Sequence, residues 1–526
     1  MITVPSITTH LGSTAPAPRP RVSIRDDLSW RPGASTTDTR GLVETVGPDL
    51  GWATFGTFSR ALRTAGVLDN EGVALPGVFV LLPLGVRLVE ALARTVRTAF
   101  EARGLSEHDY PFLAPAETLI ALERVMPVRQ RVLYAVRSPQ VGREPADTIL
   151  CPTGEPVVYE HWRARVRSTR DLPIRIYRRA RYFRPVARGK GRAQGVFRSA
   201  EAGDVFEFHS CYESLAQQQE ELRGFAAMLE EVTAAWHVPV LWGIRPPWTN
   251  ESAVSRWTLG GDVPLPVGAT VQVGCLYDQG QIFSRAFGIT CCDEGGARTY
   301  PYQAAGAITR RLVLAHLFLG MHAGGELLVH PDVAPDQIVV VLQPGVAGTD
   351  PALGEILATV GSTGFRVSGI TVDRRERNRP EILRLRRAGT PLLLLVQGRR
   401  SSDDRLKIVL TRADTHQEAV IFADSVADIA PVLSVVLREI GEAFDQRTRS
   451  FVERQQVWAL TRPEVREIVA SHRIAGCPLV RDAQVVREVE SESIGEVLSF
   501  SVGQQQQPCV VTGQPTDSVA WISHRV

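Results

Sequence analysis

Apolar residues recur every three or four positions in several stretches of the chain, a spacing that predicts amphipathic helices. One such stretch covers 84–103 and stops at Gly104, a residue type that often follows the last turn of a helix. The same spacing predicts helices over about 157–167, 210–236 and 309–321. Strand-like segments at 110–115 and 174–183 lie between them, and the polar, glycine-containing segment 184–197 predicts a hairpin loop. The first large region therefore mixes helices with strands.

The pattern changes near 324–335. Beyond this point, short leucine-rich or β-branched runs at 338–342, 365–372, 391–396 and 407–411 alternate with helical segments, which is typical of a small α/β domain. A helix is predicted over 431–449, with a proline in its first turn, where proline is tolerated. Residues 1–43 are rich in Ser, Thr, Pro and Gly and are expected to form a flexible tail.

These patterns divide the chain into four segments. They are a tail at 1–43, an α+β domain at 44–330, an α/β domain at 331–450, and a small α+β C-terminal domain at 451–526. The total of 526 residues suits several domains.

Charge is nearly balanced along the chain, with 59 basic and 57 acidic residues. This excludes a general polycation but leaves room for a local basic patch. Seven cations lie in the short segment 178–192: Arg178, Arg179, Arg181, Arg184, Arg188, Lys190 and Arg192. Such a run usually forms a solvated face, yet beside a site it could contact a nucleic-acid end. Both interpretations remain open at this point.

Cysteine content and apolar runs bear on the compartment. Seven cysteines are too few for a disulfide scaffold of this length, and their number is odd. The first twenty residues lack the apolar stretch of a signal peptide, and the longest apolar runs (77–86 and 391–396) are too short to span a bilayer. We expect a cytoplasmic protein with reduced thiols and no membrane partner.

Eight short motifs follow one another in a fixed order between residues 151 and 337, within a resemblance that covers roughly 44–526. They are CPTGE at 151–155, RSTRDLP at 167–173, FR at 183–184, FRSAE at 197–201, GAT at 268–270, FSRAF at 283–287, AGAITR at 305–310 and VAPDQ at 333–337. In this order they resemble a class II aminoacyl-tRNA synthetase, of the archaeal and eukaryotic prolyl-tRNA synthetase type. The stretch 81–115, a long helix followed by a strand that contains Pro111, resembles motif 1, which forms the dimer interface in that family.

The resemblance implies an ATP-dependent ligase that activates proline or a similar small amino acid and transfers it to tRNA. It implies ATP and Mg²⁺ as cofactors, and a homodimer. Adenylate formation brings a carboxylate to the α-phosphate of ATP, so fixed cations are needed where negative charge builds up. Arginine suits this role because its guanidinium stays protonated and binds phosphate through two donors.

The family's site residues carry over to matching positions of this sequence. The resemblance implies catalytic roles for Arg184 and Arg310, both also ATP-binding, and ATP-binding roles for Arg198 and Glu201. It implies amino-acid binding by Thr153, Glu155, Glu207, His209, Thr270 and Gly306.

Several positions depart from the family pattern. The motif 2 glutamate that accepts from adenine is Val186, and the phenylalanine that stacks on adenine is Ala202. Losing a stacked aromatic typically costs about 1–3 kcal/mol per base. The long hairpin could replace these contacts, or the nucleotide could be held weakly or not at all. The tryptophan of motif 3 is also replaced, leaving Ala304 and Ala305, which would enlarge or loosen the substrate pocket.

The C-terminal segment departs as well. The family type carries a zinc site of two cysteine pairs, of which Cys477 and Cys509 remain, with Thr512 in place of one mate. Because a structural zinc site needs four ligands, we expect no zinc. The last residue of the sequence is Val526, where the family has tyrosine.

Four functions stay open on the sequence alone. The first two are a conventional tRNA ligase, and a diverged paralogue with another acceptor, such as a small molecule of specialised metabolism. The other two are a tRNA-binding protein without adenylation, and a regulatory partner subunit. The sequence identifies neither the amino acid nor the acceptor.

Overall fold

The computed structural model describes residues 31–32, 53–71, 73, 75, 77–125, 133–136, 148–185, 195–248, 254–343, 353–372, 380–397 and 405–526. The chain divides into two compact units. The larger unit comprises 50–319 and 448–526, and the smaller comprises 1–49 and 320–447. Within the described ranges, no helix has the length and apolar character needed to cross a membrane.

The described elements are numbered in chain order. The strands are β1 (Arg31–Pro32), β2 (Leu68–Asp69), β3 (Val80–Leu81), β4 (Ser106–Glu107), β5 (Leu113–Pro115), β6 (Ala135–Val136), β7 (Thr148–Leu150), β8 (Ile174–Phe183), β9 (Glu201–Tyr212), β10 (Leu241–Ile244), β11 (Trp257–Leu265), β12 (Ala269–Gly280), β13 (Cys291–Cys292), β14 (Arg298–Thr299), β15 (Tyr302–Thr309), β16 (Ile338–Gln343), β17 (Val367–Thr371), β18 (Leu392–Gln397), β19 (Leu406–Arg412), β20 (Gln417–Ala423), β21 (Gln456–Trp458), β22 (Ile474–Pro478), β23 (Glu496–Pro508) and β24 (Pro515–Ser523). The helices are α1 (Phe55–Thr64), α2 (Pro83–Ala102), α3 (Thr118–Glu123), α4 (Glu155–Arg165), α5 (Leu215–Ala234), α6 (Ile282–Phe287), α7 (Arg311–Leu319), α8 (Leu353–Gly361), α9 (Pro380–Arg387), α10 (Ala430–Gln455), α11 (Arg462–Ala470) and α12 (Ala483–Ser493).

The larger unit is built around an eleven-stranded sheet. Its strand order is β21-β22-β24-β23-β10-β11-β12-β15-β9-β8-β4. Its central strands, from β10 to β8, are antiparallel to their neighbours. The strands of the C-terminal segment continue the same sheet, because β23 pairs with β10 at Phe500 and Ile244. Residues 451–526 therefore share a compact unit with 50–319, where the sequence pattern predicted a separate domain.

Helices cover the sheet through the stripes that their sequence spacing predicted. In α2, Leu88, Leu92, Val96 and Phe100 recur at the same face and are buried. Phe100 meets the rings of Tyr177 on β8 and Phe208 on β9 edge to face. Burying side chains of this size typically contributes about 1.5–3 kcal/mol each. The predicted helix at 84–103 is confirmed to within one residue at each end.

One predicted helix begins too early. The segment 210–236 was expected to be helical throughout, but Ser210 and Cys211 belong to the buried end of β9. Helix α5 begins at Leu215, after Ser214 accepts a hydrogen bond from the Gln217 backbone as its N-cap. A strand that is buried on both faces has no polar alternation, so periodicity could not separate it from the helix.

The smaller unit is an α/β domain, as the sequence predicted. Its sheet has the order β1-β20-β19-β18-β16-β17, with parallel pairing of β16 to β17 and β18 and antiparallel pairing of β18, β19 and β20. Ile338, Val340, Leu392 and Leu394 form the middle of its core. Of the predicted tail, Arg31–Pro32 pairs with β20, and the rest of 1–43 lies outside the described residues. Helix α10 runs on to Gln455, past the predicted end at 449.

Candidate functional site

A cavity of about 310 Å³ lies in the larger unit, against the middle strands of its sheet. Its walls come from the end of β8 and from β9, β12 and β15, together with the residues just before α4. One end carries buried carboxylates and the other carries arginines. The cavity can therefore hold a ligand that is cationic at one end and anionic along the rest.

The acidic end is built from two glutamates. Glu155 is the first residue of α4, and its Oε2 accepts a hydrogen bond from the Thr153 hydroxyl. Glu207 lies on β9, and its Oε2 accepts a hydrogen bond from the Tyr182 hydroxyl. Nε2 of His209 is 3.2 Å from the same oxygen of Glu207. The two carboxylates face the cavity from different elements that the sheet brings together.

The two glutamates differ in their protonation behaviour. Burial raises the pKa of Glu155, and repulsion from the Glu207 carboxylate raises it further. Burial acts on Glu207 in the same direction, but His209, Tyr182 and the Arg178 charge outweigh it and hold the pKa of Glu207 below its usual range. Glu207 is therefore the carboxylate that ionises more readily. A cationic ligand would stabilise the ionised form of Glu155.

Gly154 permits this close approach of the two acidic elements. A Cβ at this position would lie 2.2 Å from Oε2 of Glu207 and 2.7 Å from the Tyr182 hydroxyl. Neither partner can move far, because Glu207 and Tyr182 are both buried. The family motif has serine at this position, but a side chain there would overlap Glu207 as it is placed in this structure.

The basic end contains Arg184 and Arg310. Arg184 follows β8, and its Nε donates to the Pro152 carbonyl at 2.7 Å, on the peptide just before Thr153. Arg310 follows β15, and it donates to the Glu201 carbonyl at 3.0 Å and to Asp204 at 3.4 Å. Burial lowers the pKa of Arg310, although Asp204 opposes that shift.

Phe79 and Gly203 fix the guanidinium of Arg310. The ring of Phe79 is centred 4.5 Å from the guanidinium carbon, a cation–π distance. A Cβ on Gly203 would lie 2.7 Å from Nη1 of Arg310. The orientation of Arg310 is thus set by a ring on the loop before α2 and by a glycine on β9.

The structure brings six of the ten predicted site residues to the cavity wall. They are Thr153, Glu155, Arg184, Glu207, Gly306 and Arg310. At Gly306 a Cβ would come within 2.7 Å of the Cys275 carbonyl and of the Phe208 ring, so this wall admits only glycine. Six residues from separate sequence motifs therefore meet at one cavity.

The other four predicted residues lie outside the wall as the described residues define it. His209 is fully buried behind Glu207, with Nδ1 3.1 Å from the Tyr159 hydroxyl. Thr270 binds the backbone of the C-terminal segment, donating from its N–H and its hydroxyl to the His524 carbonyl. The carboxylate of Glu201 binds Arg181.

Arg198 is the fourth of these residues. Its Nη2 donates to the Arg525 carbonyl at 3.4 Å. Its charge acts on Arg311, which does line the cavity, so Arg198 lies just behind the basic wall.

The structure describes some of the positions that depart from the family pattern. Ala202 lines the cavity, as do Ala305 and Ala307 of the motif 3 strand. Small side chains thus occupy both the expected stacking position and the expected tryptophan position. Val186 and most of the predicted hairpin loop lie outside the described residues.

The basic run at 178–192 is not one solvated face. Arg178 is buried, and it donates to the Tyr110 carbonyl at 3.1 Å. Arg179 pairs with Glu90 and Asp204, and Arg181 pairs with Glu201. Arg184 lines the cavity, and Arg188, Lys190 and Arg192 lie outside the described residues.

Sequence reasoning missed several residues of the wall. Arg311, Gln272 and Tyr182 line the cavity although no motif marked them. Arg311 directly follows Arg310, and that adjacency was the available signal. Tyr182 and Gln272 reach the site through pairing of distant strands, which a single sequence does not display.

The cysteines are all free thiols. Burial raises the pKa of Cys151 to about 11, so it is a protonated thiol at neutral pH. Cys477 and Cys509 share one core cluster, and burial raises the pKa of Cys477 to about 12. Burial acts to raise the pKa of Cys509 too, but hydrogen bonds from Thr512 and from neighbouring backbone amides hold it below the usual value. The prediction of no zinc stays a prediction.

The sheet, the cavity and its charged residues can now be compared with known proteins. Residues 134–317 match the family described as "tRNA synthetase class II core domain (G, H, P, S and T)". These comparisons confirm the predicted fold class, the resemblance to a class II aminoacyl-tRNA synthetase, and the expectation of an enzyme of the aminoacyl-tRNA ligase type.

Similar sequences and structures narrow the comparison to proline–tRNA ligases. The chain is 24% identical over 478 residues to that enzyme of Thermococcus kodakarensis, covering 88% of this chain and 96% of the relative. It is 26% identical over 488 residues to that of Thermofilum pendens, covering 89% and 96%. Prolyl-tRNA synthetase of Giardia lamblia, solved with prolyl-adenylate, superposes with a TM-score of 0.77 at 18% identity, over 90% of this chain and 98% of that one. The Cryptosporidium parvum enzyme with halofuginone and AMPPNP gives 0.75 at 17%, over 89% and 94%.

Proposed function

We propose that this protein is a prolyl-tRNA synthetase-like ligase that uses ATP to activate proline or a similar small amino acid as its adenylate. The aminoacyl group then passes to an acceptor, which is tRNA or, in a diverged paralogue, a small molecule. This proposal rests on one observation: two buried glutamates and several arginines line the same cavity, the glutamates at one end and the arginines at the other.

The acidic end suits the ammonium of an amino acid. Glu207 supplies a fixed negative charge, and Thr153 and Glu155 supply further acceptors within the same wall. Bringing the ammonium beside Glu155 offsets the repulsion between the two carboxylates. The substrate would therefore bind with its ammonium inward and its carboxylate directed towards Arg184.

The basic end suits the reacting phosphate. A carboxylate oxygen of the amino acid attacks the α-phosphorus of ATP, the bond to the β-phosphate oxygen breaks, and pyrophosphate leaves. Negative charge grows on the α-phosphate during this step, and the guanidiniums of Arg184 and Arg310 on the cavity wall would stabilise it. Both are held by neighbouring backbone carbonyls, so little reorganisation is needed.

ATP fits the donor chemistry of this wall, and Mg²⁺ would enter with it. Mg²⁺ prefers phosphate and carboxylate oxygens and keeps several waters. The carboxylates nearest the basic end, Glu201 and Asp204, are both engaged by arginines. A Mg²⁺ ion that enters with ATP would therefore be held by phosphate oxygens and water, and it would shield the charge of the phosphates.

A non-catalytic tRNA-binding or regulatory paralogue is the second candidate. It is favoured by the contacts of Arg310, which already binds Asp204 and the Glu201 carbonyl and is covered by Phe79. Ala202 at the expected stacking position points the same way. In this case the fold and partners would persist without adenylation. Either candidate would be a homodimer through α2 and the strand after Pro111, on the family resemblance.

The test is exchange of labelled pyrophosphate into ATP with each amino acid in turn. The first candidate predicts exchange that depends on one small amino acid and is lost in Arg184→Ala. Arg223→Ala, which removes an exposed arginine of α5 paired to Glu220, is the matched control and should retain activity. Absence of exchange with every amino acid, together with tRNA binding, would support the second candidate. Full activity of Arg184→Ala would refute the site assignment.

A further inference from the structure

The basic wall of the cavity contains more cations than the two proposed catalytic arginines. The charges of four other arginines act on Arg311 there: Arg184, Arg198, Arg310 and Arg525. Burial lowers the pKa of Arg311 to about 10, and the charges of the other four lower it in the same direction. Like charges are seldom gathered in a buried wall unless an anion offsets their repulsion.

Arg311 and Arg525 meet at Gln272, which lines the cavity. Arg311 donates from Nε to the Phe197 carbonyl at 2.9 Å and from Nη1 to the Gln272 carbonyl at 3.4 Å. The guanidinium of Arg525 donates to the side-chain oxygen of the same glutamine. Both arginines therefore donate hydrogen bonds to Gln272: Arg311 to its backbone carbonyl and Arg525 to its side-chain oxygen.

Strand pairing fixes the position of Arg525. The N–H of Thr270 donates to the His524 carbonyl at 2.8 Å, and the N–H of Val526 donates to the Thr270 carbonyl at 2.9 Å. Arg525 thus forms a parallel bridge with Thr270 on β12 and is not a loose chain end. Thr270, which lies outside the cavity wall, thus contacts the site through the backbone segment that carries Arg525.

Nearby carboxylates only partly balance these charges. Asp204, which contacts Arg310, also binds Arg179. Asp262, whose Oδ1 is 4.0 Å from Nε of Arg525, is itself bound by the buried Arg245. Each of these two acids is thus shared with an arginine outside the cluster.

We propose that Arg311 and Arg525 form an additional anion subsite that binds the outer phosphates of a nucleoside triphosphate. The inference rests on the proposed function, because it extends the phosphate-binding wall of that site. It also gives that wall a specificity: the polyphosphate chain, more than the base, determines affinity. Ala202 lies where the family has the phenylalanine that stacks on adenine, so its small side chain agrees with weak recognition of the base.

Binding measurements on the full-length protein test the subsite without requiring catalysis. Inorganic tripolyphosphate and AMP are titrated separately by calorimetry, and each is tested for competition with ATP. We expect tripolyphosphate to compete with ATP. Arg311→Leu and Arg525→Ser should each weaken tripolyphosphate binding about 10-fold or more, the usual effect of losing a hydrogen bond to a charged group. AMP, which lacks the outer phosphates, should bind these variants as it binds the unchanged protein.

Arg487→Ser is the matched control, since it removes an exposed arginine of α12 in the same unit. It should leave both affinities unchanged. Because Arg311 also holds two carbonyls, Arg525→Ser serves as the variant that leaves those contacts intact. Tripolyphosphate that fails to bind, or that binds the Arg525→Ser variant as tightly as the unchanged protein, would overturn the subsite. An equal loss of AMP and tripolyphosphate affinity would also overturn it, because it would indicate a structural role.

The two proposals can fail separately. Tripolyphosphate binding that depends on Arg311 and Arg525, without exchange for any amino acid, would retain the subsite and reject the ligase. Normal exchange with variants that bind tripolyphosphate unchanged would retain the ligase and reject the subsite.

Discussion

At the scale of single residues, Glu155 links function to stability. Its carboxylate is buried beside Glu207, and both burial and repulsion raise its pKa. A carboxyl whose pKa is raised by folding destabilises the protein once the pH exceeds its unfolded-state value, and the effect is complete above the folded-state pKa. The same ionised group is what an ammonium ligand needs. Stability and ligand binding therefore make opposite demands on this side chain.

Glu155→Gln tests this conflict. We expect the free energy of unfolding at neutral pH to rise, because a neutral amide has no charge to bury. Amino-acid affinity should fall about 10- to 100-fold with the loss of a charged partner. In the unchanged protein, that affinity should decline as the pH falls through the raised pKa of Glu155. Urea unfolding and calorimetric titration across pH measure these effects, and a variant that is both less stable and fully able to bind would contradict them.

Gly154→Ala tests the spacing between the acidic elements. The added methyl group would overlap Glu207 and Tyr182, so Glu207 must shift and the hydrogen bond between them must distort. We expect a loss of about 1–3 kcal/mol in the free energy of unfolding, as overpacking usually costs, together with weaker amino-acid binding. Gly354→Ala on α8 is the control, because its Cβ would meet nothing within 4 Å. If the two variants behaved alike, the role of Gly154 would be rejected.

At the scale of elements, a buried ion pair joins the C-terminal strands to the central sheet. Arg245 follows β10 and binds Asp262 on β11, with Nη2 3.1 Å from Oδ1, and its Nη1 donates to the Leu498 carbonyl of β23 at 2.6 Å. Gly260 leaves room for the guanidinium, since a Cβ there would come within 2.2 Å of it. The Arg245 side chain thus connects β10, β11 and β23 through its hydrogen bonds.

Arg245→Ala should lower the free energy of unfolding by about 3–5 kcal/mol, because it leaves Asp262 buried without this partner. Arg466→Ala, on the exposed face of α11, should change it little. Chemical denaturation followed by circular dichroism gives both values. A loss below 1 kcal/mol in Arg245→Ala would show that the sheet does not rely on this pair.

At the scale of the whole molecule, the question is whether the C-terminal strands hold together without a metal. Val497, Phe500, Ala520 and Ile522 form an apolar core with Cys477 and Cys509, and β23 pairs with β10. We expect this packing to stabilise the segment without the crosslink that four zinc ligands would provide. The segment is therefore expected to be stable through its hydrophobic contacts.

Purified protein is accordingly predicted to contain far less than one zinc per chain, and chelator should leave its melting temperature unchanged. Elemental analysis and thermal unfolding with and without chelator are the measurements. One equivalent of zinc, or a marked loss of stability with chelator, would show that Cys477 and Cys509 still ligate a metal.

The sequence alone determined the parts of this protein that depend on local order. Apolar spacing located α2 and most elements of the α/β unit, since a buried stripe repeats with the helix or strand itself. The ordered motifs located Arg184, Arg310, Thr153, Glu155, Glu207 and Gly306 at one cavity. Tertiary structure alone decided the rest, because strand pairing joins residues that are far apart in the chain. It brought Arg525 to Arg311, placed His209 behind Glu207, and merged 451–526 with the main sheet, since hydrogen bonds between distant strands leave no periodic trace in either one.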